Sequence, residues 1–532
     1  MNVNIVKILR KISVKKYAFI LIIICFIFQL IGYKFGNSGG DIVKVNIDYV
    51  TVHFDLKGSP PMLTYMMNLL PTLKNYGVNS ILMEYEDMFP YEGNLANLSS
   101  EIAYTKTELT DFLLEAKKLD IEVIPLIQTF GHMEFVLKLA EFSVHRELPY
   151  NPGEICPSQP GSLELIRNML SQVITFHNFV QPIKYIHIGC DEVYNINDCP
   201  NCIRRNLKNH QIYYKHLINV KNIVKDLSPN TKVLFWSEFN YSQKRINLKN
   251  ELEDYKHELN DLEPIDWEYV GERVNSARLY RMHEVFNRVW FATAFKGADD
   301  VHGKEPDIMK RYLNHIHWLN QVLTYKPPKY NVKINGIVLT GWSRYSHFAR
   351  QCELLPFSMP SLILNLLLIK LFREGINRDF LYKYNHCQIY ERFIKKDFEK
   401  VYATHASHVE CSFRSVSVAK LKYPNYKSCL ARIEDIRTDW EIYSLTNLQD
   451  MTNTVEMCND QLRNGIIVME KLKPLLSEFY RKEVIDNYLN ETINFYDTKV
   501  GDGIKEFIMK IMNFTFLPRR SFGPLPIIKY GD

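Results

Sequence analysis

The first forty residues of this 532-residue chain contain no aspartate or glutamate. They carry five basic residues ahead of an apolar run, YAFILIIICFIFQLIGY at Tyr17–Tyr33, in which only Gln29 is clearly polar. This run is at the short end for a spanning helix, and its basic N-terminal flank predicts that the tail faces the cytoplasm. We expect a cytoplasmic tail at residues 1–16, a transmembrane signal anchor at 17–35, a linker at 36–44 and a lumenal remainder.

A small-x-small cleavage motif is also lacking after this run, which favours an anchor over a cleaved signal peptide. The pattern predicts a single-pass type II membrane protein of the secretory pathway, with the Golgi as a candidate location. The alternative is a secreted or lysosomal protein released by cleavage. Four Asn-x-Ser/Thr triplets agree with either route as glycosylation sites, at Asn97, Asn240, Asn490 and Asn513.

Low-complexity tracts, internal repeats and an excess of charge are absent from the rest of the sequence. The formal net charge is +5, but six of the 65 basic residues precede residue 41, which leaves 59 against 60 acidic residues and a net charge of −1. We therefore expect no nucleic-acid partner. With 46% hydrophobic residues, the composition is that of a globular protein with a large core.

Short apolar runs alternate with longer amphipathic stretches between residues 45 and 375, which is typical of parallel βα units. The runs are Val45–Phe54, Ser80–Tyr85, Ile121–Ile127, Lys184–Ile188, Lys232–Trp236, Ile265–Val270, Arg288–Ala294 and Gly336–Thr340. Eight such units predict an α/β fold, the (β/α)8 TIM barrel, as catalytic domain. Residues 376–532 have helix-compatible spacing and predict a C-terminal, mainly helical domain, or alternatively a dimerisation element of a homodimer.

Acidic and aromatic residues are concentrated directly after these strands, where the active sites of TIM barrels lie. Tryptophans that stack on sugar rings and carboxylates that bind hydroxyls together predict a carbohydrate pocket. The densest acidic signal is the adjacent pair Asp191-Glu192, after the fourth strand. Most glycosidases use two carboxylates held several ångströms apart, so adjacency predicts instead that the substrate's own 2-acetamido oxygen attacks the anomeric carbon.

The two neighbouring carboxylates then have separate tasks. We expect Glu192 to protonate the leaving oxygen as general acid and to activate water afterwards as general base. We expect Asp191 to hold the acetamido N–H and to stabilise the positive, oxazolinium-like intermediate. These tasks predict opposite tuning, with Glu192 kept protonated by apolar surroundings and Asp191 kept ionised by hydrogen bonds.

The segment His187-x-Gly189-x-Asp191-Glu192 resembles the His-x-Gly-x-Asp-Glu signature of glycoside hydrolase family 20. Further segments resemble the hexosaminidase D branch of that family: Asp55-Leu56-Lys57-Gly58, Phe89-Pro90-Tyr91, Thr129-Phe130-Gly131-His132, Ala294-Phe295-Lys296-Gly297 and Gly341-Trp342-x-Arg344-Tyr345. The resemblance covers residues 45–375. It implies a retaining, substrate-assisted β-N-acetylhexosaminidase that acts on terminal, non-reducing β-linked GlcNAc or GalNAc of glycans, without a metal or other cofactor.

The resemblance also implies roles for residues beyond the acid pair. His132 matches a relay histidine, and Glu86 or Asp87 matches the acid that completes the relay to Glu192. The implied substrate-binding residues are Asp55, Trp236, Trp267, Tyr269, Trp342 and Tyr345, with either tyrosine a candidate to hold the acetamido carbonyl.

Two positions depart from the family pattern. Many members have an arginine near the end of the first strand, where this chain has His53, Asp55 and Lys57. A Trp-Asp-Asp-like run after the fifth strand reads Trp236-Ser237-Glu238 here. These departures leave open which groups bind the sugar hydroxyls.

Two rival functions remain open. A metal-dependent barrel hydrolase would use as ligands His53, Asp55, His132, His187 and Asp191. A glycan-binding protein without catalysis is the second rival, although nothing in the acid pair indicates decay.

Nine of the ten cysteines follow the apolar run, and their pairing cannot be read from the sequence. The motif Cys199-Pro200-Asn201-Cys202 resembles half of a zinc site, but a second CxxC or suitably spaced histidines are missing. A loop disulfide or free thiols are therefore favoured over a metal at this motif.

Overall fold

The structure is a computed structural model that describes residues 42–237, 253–300, 303, 306–326, 333–377, 467, 472–474 and 476–492. The predicted tail at 1–16 and anchor at 17–35 lie outside the described residues, as does most of the region 376–532. Asn240 and Asn513 also lie outside them, whereas Asn97 and Asn490 are exposed on the described surface.

The eight predicted strands form one closed barrel in which all neighbours are parallel. In chain order they are β1 (Tyr49–Asp55), β2 (Ser80–Glu84), β3 (Glu122–Leu126), β4 (Tyr185–His187), β5 (Lys232–Trp236), β6 (Glu263–Trp267), β7 (Arg288–Lys296) and β8 (Lys333–Gly341). The predicted TIM barrel is confirmed. Boundaries differ most in β1, which begins at Tyr49 and not at Val45, and in β6, which ends at Trp267 and not at Val270.

Helices follow the strands and cover the outside of the barrel. They are α1 (Leu63–Asn75), α2 (Lys106–Lys118), α3 (Ser162–Val180), α4 (Asn209–Leu227), α5 (Lys256–Leu259), α6 (Ser276–Met282), α7 (Ile308–Thr324) and α8 (Leu355–Glu374). Further helical turns of three to six residues lie at Glu86–Met88, Gly93–Leu98, Glu134–Leu137, Ala140–His145, Pro200–Ile203, Glu253–Tyr255 and Gly271–Arg273. A hairpin of Arg146–Leu148 and Asn151–Ile155 lies in the loop between β3 and α3.

Local sequence accounts for these elements. Helix α2 begins at a capping box, in which the Thr105 hydroxyl accepts the backbone N–H of Glu108 and the Glu108 carboxylate accepts that of Thr105. Its apolar residues recur at helical spacing and are the ones buried against the barrel. Strand β1, in contrast, is buried along six of its seven residues, as expected for a parallel strand covered on both faces.

Aromatic and polar side chains fill the N-terminal end of the barrel. The carboxylate of Glu263 accepts hydrogen bonds from Trp290 Nε1 at 2.7 Å and from Asn335 Nδ2 at 2.9 Å. The rings of Tyr49 and Tyr185 pack on Trp290, with centroids 4.9 and 5.5 Å apart. Because this end is filled, the loops at the C-terminal ends of the strands are left to form a pocket.

Residues 376–377 correct one detail of the predicted C-terminal region. The helix-compatible stretch was expected to begin at Ile376, but Ile376–Asn377 is a short strand that pairs antiparallel with Ile42–Val43. The pairing joins the two ends of the barrel domain, since Ile42–Val43 lies before β1 and Ile376–Asn377 lies after α8.

A described segment near the C-terminus packs on the barrel. Residues 482–492 are helical, and an apolar cluster joins this segment to the barrel domain at Leu354. The ring of Phe479 packs edge-on against Tyr65 of α1 with centroids 4.8 Å apart, and its carbonyl accepts the N–H of Met62 at 2.8 Å. Arg481 pairs with Glu108 of α2 at 2.6 Å.

Helix α8 is long and apolar enough to span a membrane by composition, and it is the one such helix among the described residues. Of its most apolar window, 83% is buried inside the protein. It packs against α7 and β7, as the core-facing last helix of the barrel.

We expect Phe479→Ala to lower the free energy of unfolding by about 3 kcal/mol, because it removes a buried ring between the C-terminal segment and α1. Chemical denaturation of the two proteins measures the difference. Phe179→Ala is the matched control, since Phe179 is 85% exposed on α3. Equal stability of Phe479→Ala and the unmodified chain would contradict the packing described here.

Candidate active site

The predicted acid pair lies in a tight loop at the C-terminal end of β4. The backbone φ is positive at Gly189 (68°), Cys190 (73°) and Glu192 (49°), and also at His132 (51°) in the loop after β3. For residues with a side chain this conformation costs roughly 1–2 kcal/mol each. Such strain is retained at functional sites where the surrounding structure fixes the backbone.

Two glycines allow the loops after β3 and β4 to approach each other. A Cβ atom on Gly131 would lie 2.0 Å from the backbone oxygen of Asp191, and one on Gly189 would lie 1.8 Å from Oε1 of Gln128. Neither distance is possible for real atoms. The glycines therefore bring His132, the residue after Gly131, against the acid pair.

His132 contacts both predicted catalytic acids through one ring nitrogen. Its Nε2 lies 3.4 Å from Oδ2 of Asp191 and 3.2 Å from Oε2 of Glu192. Burial lowers the pKa of His132, but the charge of Asp191 and hydrogen bonds to both carboxylates outweigh it, and the pKa is held well above 6.5. Because both oxygens face the same nitrogen, the two acids lie on one side of the pocket and do not flank a bond between them.

The predicted tuning of Glu192 is wrong for the substrate-free protein. Burial alone raises the pKa of Glu192, but the hydrogen bond and positive charge of His132 outweigh burial, and the net pKa is lowered from 4.5. The proton that the general acid needs is therefore held by the histidine. Transfer over the 3.2 Å between His132 Nε2 and Glu192 Oε2 gives the protonated acid without taking up a further proton.

Asp191 is arranged to accept a hydrogen bond from a ligand. Its side chain is 7% exposed, and while Oδ2 faces His132, the buried Oδ1 has no hydrogen-bond partner among the described residues. A buried carboxylate oxygen without a partner is costly. An amide N–H of a bound sugar is the kind of donor that satisfies it.

The three predicted pocket tryptophans meet at this end of the barrel. Trp342 packs on Trp236 with ring centroids 5.8 Å apart and on His53 at 4.7 Å. Trp236 is 1% exposed and forms the floor, whereas Trp267 and Trp342 are half-buried and available to a sugar face. The prediction of a shared aromatic pocket fits this arrangement, with Trp236 below the other two.

Of the two candidate tyrosines, Tyr269 is the one beside the acids. Its hydroxyl accepts a hydrogen bond from Trp342 Nε1 at 3.0 Å, and its ring packs on Trp267. Burial raises the pKa of Tyr269, and the charges of Asp191 and Glu192 raise it further.

Tyr345 has other neighbours. Its side chain is 43% exposed, and its pKa is raised to about 12 by partial burial and by nearby acidic groups that include Glu353. Tyr345 thus has its acidic neighbours in the region after β8, whereas Tyr269 is influenced by Asp191 and Glu192.

A buried group of charges supports the loop after β1. The ammonium of Lys57 lies 3.1 Å from Glu86 Oε1 and 3.9 Å from Asp55 Oδ2, and all three residues are almost completely buried. Asp55 also accepts the backbone N–H groups of Lys57 and Ser343, so it joins the loops after β1 and β8. Asp55 is thus placed to fix the pocket walls, whereas its predicted contact with substrate stays a prediction.

Glu86 and Asp87 were predicted as relay partners of His132. In the structure Glu86 bonds His347 at 2.5 Å as well as Lys57, and Asp87 pairs with Lys138 at 3.1 Å. Burial and the neighbouring acids Glu84 and Asp55 raise the pKa of Glu86. A direct contact from either acid to His132 stays a prediction.

Three contributors were not identified from the sequence. His347, from the loop after β8, contacts Glu86, and it was missed because 261 positions separate the two residues. Glu84 accepts hydrogen bonds from His53 at 2.9 Å and Gln128 at 3.0 Å. Lys296 donates to the backbone oxygen of Trp342, and its place in the segment Phe295-Lys296-Gly297 was the available signal.

The five ligands proposed for a metal-dependent hydrolase do not form one compact group in the described part of the chain, although His132 contacts Asp191. His53 bonds Glu84, His187 accepts the N–H of Gly189, and His132 faces the acid pair. Among the described residues, the acidic group at this end of the barrel that is compact enough to bind a metal is Asp55, Glu84 and Glu86. The ammonium of Lys57 already supplies a cation to it.

Comparison with known proteins agrees with this geometry. Residues 64–258 match the model of the glycosyl hydrolase family 20 catalytic domain. Human hexosaminidase D is 37% identical over 340 residues, 62% of this chain and 66% of that protein. Bovine hexosaminidase D is 36% identical over 321 residues, 58% of this chain and 89% of that protein. The chain thus spans just under two thirds of the human relative and most of the bovine one.

Among solved structures, the chain is similar to Flavobacterium johnsoniae chitobiase, with 14% identity, a TM-score of 0.48, and coverage of 89% of this chain and 73% of that one. The match to the family model and to the bovine relative confirms the predicted family and enzyme class. The chain belongs to glycosyl hydrolase family 20, as a β-N-acetylhexosaminidase similar to hexosaminidase D.

Proposed function

We propose that this chain removes terminal β-linked N-acetylhexosamine, GlcNAc or GalNAc, from the non-reducing ends of glycans by a substrate-assisted, retaining reaction. One observation carries the proposal. A buried oxygen of Asp191 that has no hydrogen-bond partner among the residues the structure describes lies beside Glu192, and one histidine nitrogen contacts both acids. This geometry supplies an acid and an amide-binding anion on the same side of a sugar, without a separate nucleophile.

In the first step, the acetamido carbonyl oxygen of the sugar attacks the anomeric carbon as the glycosidic bond breaks. Glu192 gives its proton to the leaving oxygen. Asp191 accepts the acetamido N–H through Oδ1 and stabilises the positive charge that develops on the ring formed. The hydroxyl of Tyr269, held by Trp342, donates to the acetamido oxygen and orients it for attack.

In the second step, water attacks the anomeric carbon and opens the oxazolinium-like ring. Glu192, now a carboxylate, takes a proton from this water as it adds. Two inversions at one carbon retain the β configuration. Trp267 and Trp342 hold the sugar ring during both steps, because their half-buried faces lie over the floor made by Trp236.

His132 positions the acid and holds its proton between turnovers. In the substrate-free protein the charged pair His132⁺ and Glu192⁻ contains the same number of protons as neutral His132 with protonated Glu192. Binding of an uncharged sugar removes water from the pair and favours the neutral form, because charged forms are disfavoured by burial.

We expect substrates with different leaving groups to distinguish the role of Glu192 from that of Asp191. Glu192→Gln lowers kcat/KM by about 10²–10⁴-fold on a 4-methoxyphenyl N-acetylglucosaminide, whose leaving oxygen needs a proton. On the 2,4-dinitrophenyl glycoside the loss is much smaller, because that leaving group departs as an anion. Asp191→Asn loses activity on both substrates, since the intermediate loses its stabilising carboxylate.

The control for these variants is Glu141→Gln, which removes an exposed carboxylate far along the loop after β3 and keeps the unmodified rates. Equal losses for Glu192→Gln on both glycosides would remove Glu192 as the proton donor. Binding of the aryl N-acetylglucosaminides without their hydrolysis by the unmodified chain would support instead the non-catalytic rival.

The pH dependence of kcat/KM tests the role of His132. The alkaline limb reports loss of the proton from the free His132–Glu192 pair, and the raised pKa of His132 puts that limb above pH 6.5. In His132→Gln the same proton must reside on Glu192, so the limb moves to lower pH. An unchanged alkaline limb in the variant would contradict the role assigned to His132.

A further inference from the structure

A second cluster of chemically reactive side chains lies beside the active site and takes no part in the proposed reaction. It consists of Cys156, Cys199, Cys202 and Glu147, each at most 7% exposed. The sulfur of Cys156 lies 3.2 Å from that of Cys199 and 3.6 Å from that of Cys202, and Cys202 Sγ lies 3.3 Å from Glu147 Oε2. We call these four residues the thiol cluster.

The thiol cluster joins the two loops that carry the catalytic groups. Glu147 and Cys156 lie in and just after the hairpin of the loop between β3 and α3, which also carries His132. Cys199 and Cys202 lie in the loop between β4 and α4, which begins with the acid pair. A link across the cluster therefore fixes the loop of the relay histidine relative to the loop of the acids.

Cys156 supplies what the sequence pattern lacked. The motif Cys199-x-x-Cys202 was interpreted as half a metal site without a second half, and the fold brings a third sulfur to it from 43 positions away. One ligand atom from each of the four residues lies within 4.8 Å of the others. In a tetrahedral zinc site with Zn–S bonds of about 2.3 Å, neighbouring sulfurs are about 3.8 Å apart, close to the separations here.

The carboxylate of Glu147 is a second, independent indication of a cation. Its Oε1 accepts the backbone N–H groups of Asp198 at 2.8 Å and Cys199 at 2.9 Å, whereas Oε2 faces the thiol of Cys202. Within the described part of the chain, no lysine, arginine or histidine forms an ion pair with it. A buried carboxylate is strongly disfavoured unless a cation or a proton compensates its charge.

We propose that the thiol cluster binds one zinc-type divalent cation through the three sulfurs and Oε2 of Glu147, as a structural site. Each thiol releases its proton to solvent when the ion binds. Four protein ligands close the coordination sphere, so the ion has no open position for substrate or water. The backbone N–H of Cys202 donates to Cys199 Sγ at 3.3 Å, a hydrogen bond that stabilises a thiolate ligand.

A disulfide is the competing use of these sulfurs. It needs two sulfurs at about 2 Å, and it would leave the third thiol buried against Glu147. A divalent ion instead binds all four residues, and the backbone N–H groups of Asp198, Cys199 and Cys202 donate to the site, whose net charge with three thiolates is −2. The two possibilities differ in the mass of the intact chain, in its thiol count and in its metal content.

The test is elemental analysis of the intact, purified full-length protein, together with replacement of the ion by Co²⁺. We expect about one zinc per chain and, with Co²⁺, intense absorption from sulfur-to-cobalt charge transfer and bands typical of tetrahedral coordination. Cys156→Ser and Glu147→Gln each remove a direct ligand and are expected to lower the affinity for Co²⁺ by more than the roughly 10- to 100-fold lost when only a partner of a ligand is removed.

Cys352→Ser is the matched control, because Cys352 is a buried free cysteine outside the thiol cluster and is expected to keep the metal content unchanged. A chain without zinc that fails to bind Co²⁺ would overturn the proposal, as would peptide mapping of the unreduced chain that shows a disulfide between any two of the three cysteines. If Cys156→Ser fails to fold, the Co²⁺ spectrum of the unmodified chain still decides between sulfur coordination and none.

Discussion

The contact on which the site depends is that of one histidine nitrogen with two adjacent carboxylates. It exists because the loop after β3 passes against the loop after β4 at Gly131, where any side chain would collide with the backbone of Asp191. His132 stabilises two negative charges that would otherwise repel each other in a buried pocket. Without this contact, neighbouring acids at a strand end would be poorly suited to hold one proton and one charge.

The rest of the active site is organised around that contact. Lys57 neutralises the acids that follow β1 and β2, and Asp55 joins the loops after β1 and β8, so that Trp342 is fixed over the floor. Breaking a buried ion pair by removing one partner typically costs about 3–5 kcal/mol. After β1, where the sequence was expected to depart from the family pattern, the structure thus has a lysine that is paired internally.

Much of this was predictable from the sequence. Parallel strands buried on both faces are continuous apolar runs, so all eight were located, and their C-terminal ends pointed to the acid pair, to His132 and to the tryptophans. The pattern did not predict the direction of the pKa shift at Glu192. Burial raises this pKa and a charged histidine lowers it, and the net direction depends on the short distance between His132 and Glu192, which the sequence does not give. It also did not predict His347 or Cys156, whose partners are distant in sequence and are brought together by loops without periodicity.

The thiol cluster was predictable only in part, for the same reason. A CxxC motif is visible in a sequence, but a third ligand in another loop is identified only when the barrel places those loops side by side. Both the acid pair and the thiol cluster therefore depend on one junction, that of the loops after β3 and β4. The predicted anchor at residues 17–35 lies outside the described residues and stays a prediction.

The central claim is that the substrate's acetamido oxygen is the nucleophile, and it is tested most directly by weakening that oxygen. We would measure kcat/KM on one aryl glycoside with N-acetyl, N-fluoroacetyl, N-difluoroacetyl and N-trifluoroacetyl groups. The account predicts a steep, progressive fall in rate as fluorine withdraws electrons from the carbonyl. Rates that stay constant along the series would show that another group attacks the anomeric carbon, and would contradict the account.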